Sequence, residues 1–295
     1  MRYDSVTGRF GRPHSVRIVE VGPRDGLQNE DALVSANAKV AFVEALADAG
    51  LPVVEVTSFV SPRAVPQFAD ADEVFPRVRR RDGVRYPVLV PNMRGMERAE
   101  RAGADAVAVF TAASEAFTER NIGMTVAGSL EAFAPVLERA RMLGWWRRGY
   151  VSTAFGCPYS GSVDPSTVAE VCRALLDLGC EEISVGDTIG VAEPADVHVV
   201  CDAVLAHVPV ERLALHLHDT RGRALDNVEA GLEHGVAAYD ASAGGMGGCP
   251  FAPGAPGNLA TESLCGLLDR LGIEHGVDAA AVASAATALR ARMTR

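Results

Sequence analysis

Apolar and polar positions follow two rhythms along this chain. Short β-branched runs read as strands, and each is followed by a stretch whose apolar positions return every three or four residues, the spacing of a helix face. The first pair is Val16–Val21 (VRIVEV) and Asn37–Ala49, where Val40, Phe42, Val43, Leu46 and Ala47 recur at helical intervals. Pro52–Thr57 with a helix over Pro66–Arg80 comes next, then Tyr86–Val90 with Gly95–Ala102. Ala106–Phe110 leads through a polar loop to a helix near Ser129–Leu143. The second half repeats the pattern with Gly149–Thr153 and Pro165–Leu178, Glu182–Gly186 and Asp196–Ala206, Leu213–His218 and Arg223–Glu233, and Ala237–Ser242 and Thr261–Leu271.

These make about eight strand–helix units spaced by roughly 30 residues, the length of βα repeats. The strands are continuously apolar, as expected of parallel strands covered on both faces. An α/β protein built as a (β/α)8 TIM barrel fits, because eight units need about 250 residues. A doubly wound open sheet is the competing fold, and it lacks its GxGxxG turn after the first strand. Residues 1–14 read as a loose N-terminal arm, and the Ala-rich stretch after Val277 as an extra C-terminal helix on the outside of the barrel. Residues 15–295 are thus expected to form a single catalytic domain.

Composition narrows the setting. The chain has 295 residues, 48% hydrophobic and 22% charged, enough to bury a large core. A net charge of −10 opposes binding to a phosphate backbone, so no nucleic-acid partner is expected. Six cysteines (157, 172, 180, 201, 249 and 265) form no CxxC pair, and the polar N-terminus has no secretory signal. No run of about 18 apolar residues suggests a membrane helix. A reduced, cytoplasmic, soluble protein without a membrane partner is expected.

The strand ends carry the candidate chemistry. In LALHLHDT (213–220), His216 and His218 stand two apart and so leave the same face of a strand. The first strand ends in Gly22-Pro23-Arg24-Asp25-Gly26, the second carries Glu55, and the sixth ends in Asp187-Thr188. After the eighth comes the glycine-rich loop Gly244–Asn258, with Cys249 inside it and Asn258 at its end. In a barrel these groups converge on one mouth. Two imidazoles, one carboxylate and one amide oxygen suit a divalent ion, Mg²⁺ or Mn²⁺ before others, while ligand type alone leaves zinc and iron open. Duller roles exist beside these: Asp25 fits a plain turn former next to Gly26, and Glu55 and Asp187 fit ion-pair partners that hold Arg24. A lone thiol is commonly a small buried hydrophobe, the reading given to the other five cysteines. Cys249 differs by lying in a loop with enough glycine to bend over a ligand.

With these residues in place the chain resembles the 3-hydroxy-3-methylglutaryl-CoA lyase family, within the barrel metalloenzymes that include isopropylmalate and homocitrate synthases. The resemblance rests on VEVGPRDGLQNE (19–30), VEVTSFVSPRAVPQFAD (54–70), LVPNMRGMERA (89–99), FTAASEAFTERNI (110–122), GCPYSG (156–161), ISVGDTIGV (183–191), LHLHDTRGRALDNVEAGLEHGV (215–236) and GGCPFAPGAPGNLATE (247–262). It implies a metal held by Asp25, His216, His218 and Asn258. It further implies Arg24 on the thioester oxygen, Cys249 as the catalytic thiol of a lid, and Glu55 and Asp187 orienting Arg24, the substrate and metal-bound water. The implied reaction is retro-Claisen cleavage of a 3-hydroxyacyl-CoA to acetyl-CoA and acetoacetate, with the first base open between Asp187 and a hydroxide on the metal. A homodimer follows from the resemblance alone, and leucine catabolism is one of several pathways that use this chemistry.

Departures from the family pattern bear on the substrate. Asp31 stands where a lysine is usual, Met246 and Pro256 alter the lid, and the chain ends early at Arg295. A different hydroxyacyl-CoA, a condensing synthase, and a non-catalytic metal- or acyl-CoA-binding protein are the alternatives.

Overall fold

From Arg17 onward the described strands pair with parallel neighbours, in chain order, until the last meets the first. The structure, a computed structural model, describes residues 3–4, 9–30, 32–247 and 257–293. The strands are β1 (Arg17–Glu20), β2 (Val53–Val54 and Thr57–Ser58), β3 (Val88–Leu89), β4 (Ala106–Ala112), β5 (Trp146–Ser152), β6 (Glu182–Asp187), β7 (Leu213–Leu217) and β8 (Ala238–Ala241). Nine ladder segments make these eight strands, because β2 is interrupted at Glu55–Val56. Its first half pairs with β1 (Val19↔Val53) and its second with β3 (Thr57↔Val88). On the other side β8 lies along β1, from Ala238↔Arg17 to Ala241↔Glu20, which closes the ring. The expected (β/α)8 barrel is the fold.

Helices cover the outside: α1 (Ala36–Asp48), α2 (Ala71–Arg77), α3 (Met93–Arg101), α4 (Glu115–Ile122), α5 (Val126–Met142), α6 (Pro165–Asp177), α7 (Pro194–Leu205), α8 (Ala224–Glu233), α9 (Thr261–Leu271) and α10 (Ala279–Met293). Their inward residues, among them Val43, Leu46, Leu175 and Val228, join Ile18, Val54, Val107, Ile183 and Leu215 in one continuous buried cluster. Alternate strand residues point the other way, into the barrel. There Val19, Val21 and Val53 make a small apolar group of their own. Beside it the lumen carries charge, with Glu55, Arg148, Glu182 and Asp240 at 3% exposure or less.

The structure corrects three local expectations. The helix expected over Pro66–Arg80 is a 3-10 turn, Pro66–Phe68, followed by α2 alone. Lys39 of α1 donates its Nζ to the Gln67 carbonyl and to Asp70, so that carbonyl is taken before a helix can use it. The polar loop after β4 contains α4, which buries Phe117, is capped by Ser114, and ends at Gly123 with φ 70°. The N-terminal arm is not wholly loose: Tyr3 and Asp4 pair antiparallel with Phe10 and Arg9, and the His14 carbonyl accepts from the Glu274 N–H at 3.0 Å. The expected C-terminal helix is α10; Asp278 at its start donates its N–H to the Ala49 carbonyl beyond α1.

Candidate active site

The turn after β1 builds the first half of the site. The amides of Arg24, Asp25 and Gly26 all converge on the carbonyl of Val21, which tightens Gly22–Gly26 into a π-type turn. Glu20 holds the start of that turn, accepting from the N–H groups of Gly22 and Ala243 (both 2.8 Å) and from the Thr261 hydroxyl (2.6 Å). A Cβ at Gly22 would sit 2.6 Å from the Glu20 carboxylate, so only glycine lets the backbone pass so close. Burial pushes the Glu20 carboxyl up to about 7, against the three donors.

Arg24 leaves this turn into the barrel mouth and is nearly buried, at 6% exposure. Its Nε and Nη2 both lie 2.8 Å from Glu55 Oε2, and its Nη1 lies 2.7 Å from Asp25 Oδ1. Desolvation opposes the charge, but the carboxylates of Glu55 and Asp25 overcome it and hold the guanidinium above the ordinary arginine value. Burial likewise opposes ionisation of Asp25, yet Arg24, His216 and Asn258 bring it down to about 2.

β7 supplies the second half. His216 and His218 leave one face, as their spacing requires, with ring centroids 5.2 Å apart. A donor atom from each of Asp25, His216 and His218 lies within 4.8 Å of the other two. Desolvation, helped by the neighbouring His216, pushes His218 down to about 3, so this imidazole is neutral. Its Nδ1 is buried without a hydrogen-bond partner among the described residues. An ionised carboxylate beside a neutral imidazole with an idle nitrogen is a donor set that fits a divalent cation. Asn258 stands at the same place, with its Nδ2 2.9 Å from Asp25 Oδ2 and 3.0 Å from the Met246 carbonyl.

Not every expected residue joins. Asp187 does not reach Arg24; its two oxygens accept the N–H groups of Val191 and Ala192, both at 3.0 Å. The residue ends β6, and a carboxylate at that position caps the turn that follows before it can cross the barrel. Of Glu55 and Asp187, only Glu55 holds Arg24, beside Asp25. Cys249 lies outside the described residues, as do Asp31 and Pro256. The mouth opens onto a cavity of about 150 Å³ whose wall is polar at Arg24, Gln28, Asn29 and Asn121 and apolar at Leu89, Phe110, Phe117 and Val151.

The model of the family described as HMGL-like matches residues 15–289. The chain belongs to the HMGL-like family. Among its relatives, the mitochondrial hydroxymethylglutaryl-CoA lyase of Bos taurus is 52% identical over 93% of this chain and 84% of its own. A Pseudomonas aeruginosa relative named 3-hydroxy-3-isohexenylglutaryl-CoA/hydroxy-methylglutaryl-CoA lyase is 51% identical over 92% of this chain and 91% of its own. In structure, the HMG-CoA lyase of Brucella melitensis superposes with a TM-score of 0.94 at 49% identity, covering 96% of this chain and all of the other.

Motif spacing missed three residues of this HMGL-like site. Tyr150 and Arg148 of β5 and Asp240 of β8 are buried between the two halves just described. The Tyr150 hydroxyl donates to Glu55 Oε2 (2.9 Å) and accepts from Arg148 Nη1 (2.7 Å). Arg24 also lies over the Tyr150 ring, 5.3 Å from its centroid. One signal was available: Asp240 inside a run that otherwise reads as a buried strand, and Arg148 directly before another, need partners within the barrel.

Proposed function

We propose that this chain is a divalent-metal-dependent carbon–carbon lyase that cleaves 3-hydroxy-3-methylglutaryl-CoA, or a close analogue, to acetyl-CoA and acetoacetate. The observation that carries the reading is the fixed, charged Arg24 guanidinium 2.7 Å from Asp25, which shares its cluster with His216 and His218. Asp25, His216, His218 and Asn258 would hold the ion, Asn258 through its amide oxygen. A divalent ion bound there supplies positive charge that makes a ligating hydroxyl more acidic.

Cleavage passes the proton of the C3 hydroxyl to a base, for which Asp187 is the candidate among this chain's residues, turns C3 into a ketone, and sends the C2–C3 electron pair onto the acetyl thioester. Arg24 faces the negative charge that develops on the thioester oxygen, and Glu55 keeps its fork from turning away. Because Glu55 and Tyr150 hold the guanidinium before substrate arrives, little reorganisation is left for the reaction itself. The released enolate needs one proton at C2, and Cys249 is the proposed donor. Asp187 also shapes the turn that carries Thr188 into the wall.

The test is coupled detection of acetyl-CoA from 3-hydroxy-3-methylglutaryl-CoA with Mg²⁺ or Mn²⁺ and with chelator, on the wild type and Cys249→Ala. Metal-dependent release that collapses in the variant supports the lyase and the thiol together. No release from the metal-loaded wild type sinks this substrate. The name of the Pseudomonas relative makes 3-hydroxy-3-isohexenylglutaryl-CoA the second substrate to offer. A homodimer and a cytoplasmic location belong to the same proposal, checked by light scattering and by fractionation of the source cells.

A further inference from the structure

The proposed metal site is backed by a carboxylate that lies outside it. Asp240 has a fully buried side chain and is surrounded by donors. Arg148 Nη2 reaches its Oδ1 at 2.5 Å, while Arg148 Nη1 (3.2 Å) and the Ser184 hydroxyl (2.8 Å) reach its Oδ2. The same Oδ2 lies 3.2 Å from His216 Nδ1. Arg148 is itself 0% exposed and anchored by Glu182 at 2.8 Å, so this arrangement has little freedom to relax.

The direction of the last hydrogen bond follows from chemistry. An ionised carboxylate only accepts, so against Asp240 the His216 Nδ1 must carry the proton. The two Arg148 nitrogens and the Ser184 hydroxyl that already donate to this carboxylate favour its ionised, accepting form. The lone pair of His216 is then left on Nε2, the ring nitrogen free to serve the cluster with Asp25 and His218.

We propose that Asp240, held by Arg148, is a positioning residue that fixes the Nδ1–H tautomer of His216 and so presents Nε2 to the metal. This rests on the metal site of the proposed function. Carboxylates placed behind metal-ligating histidines commonly set affinity by 10- to 100-fold. Asp240→Asn keeps the shape but turns an amide N–H toward Nδ1, which favours the opposite tautomer.

Two measurements decide it. Mn²⁺ binding to the metal-depleted full chain, followed by electron paramagnetic resonance, is expected to weaken by about 10- to 100-fold in Asp240→Asn. Affinity unchanged within about threefold, in a variant with wild-type circular dichroism, overturns the proposal. Asp240→Asn also leaves Arg148 short of a counter-charge, so the second measurement needs no variant at that position. A long-range ¹⁵N–¹H correlation spectrum of the metal-free wild type at pH 8.5 reads the tautomer directly, with His216 assigned by the loss of its signals in His216→Gln. A protonated Nδ1 and bare Nε2 support the proposal, and the reverse overturns it. If the wild type binds no Mn²⁺ at all, the metal centre itself is wrong, and the tautomer still decides the role of Asp240.

Discussion

Tyr150→Phe isolates the bond that ties Arg24 to the interior. The hydroxyl makes two hydrogen bonds to charged groups, donating to Glu55 Oε2 at 2.9 Å and accepting from Arg148 Nη1 at 2.7 Å. Bonds to charged groups contribute about 1.5–3 kcal/mol each. Neither partner is orphaned by the change, because Glu55 Oε2 keeps the two nitrogens of Arg24 and Arg148 Nη1 keeps Asp240 Oδ2 at 3.2 Å. The expected cost is therefore about 3–6 kcal/mol in total, read as a fall in Tm of roughly 5–10 °C.

Activity follows from what the bond holds. With Phe at 150, Glu55 and the guanidinium it carries gain freedom, and a displacement of about 1 Å at a reacting centre can cost on the order of 100-fold. Arg24 acts on charge that exists only as the C2–C3 bond breaks, so the loss belongs in kcat. The expected result is a kcat lower by about 10- to 100-fold with KM within a few-fold, in steady-state release of acetyl-CoA under saturating Mn²⁺. A variant that loses the stated stability yet keeps wild-type kcat refutes the alignment argument. One that keeps both refutes the hydrogen-bond assignment itself.

Glu20 gives stability a pH dependence. Its folded value of about 7 lies above the ordinary 4.5, so the native state holds a proton that the unfolded chain has released between those values. Stability from this group is present in full below pH ~4.5 and is lost as pH rises to ~7. Glu20→Gln should flatten that fall and gain roughly 2–3 kcal/mol at pH 8, measured by urea unfolding at pH 5 and 8; a steeper or unchanged slope contradicts it. Gly231→Ala places a Cβ 2.6 Å from Leu215 Cδ1 and 2.7 Å from the Tyr239 hydroxyl. Overpacking of about 1–3 kcal/mol should outweigh the helix-propensity gain, so a raised Tm would show that α8 can shift to make room. Chelation by EDTA should abolish acetyl-CoA release and Mn²⁺ should restore it, whereas full activity in the chelator rules out the metal.

The local rhythm of apolar residues determined the strand–helix alternation, because burial of a strand or a helix face depends on spacing alone. It also placed His216 and His218 on one face and Arg24 beside Asp25 in a turn. Helix α4 escaped because its exposed residues are polar and only Phe117 and Thr118 are buried. The sequence offered both Glu55 and Asp187 as partners holding Arg24. Tertiary structure decided between them, since Asp187 is occupied by the turn that follows it.

Only the closed barrel brought Arg148, Tyr150 and Asp240 into the site. Arg148 finds Asp240 across a separation of 92 residues, and Tyr150 finds Glu55 across 95. A charge inside a strand must be paired somewhere in the interior, and that demand is visible in the residue type. The identity of the partner is not, because it depends on which strands the ring sets face to face.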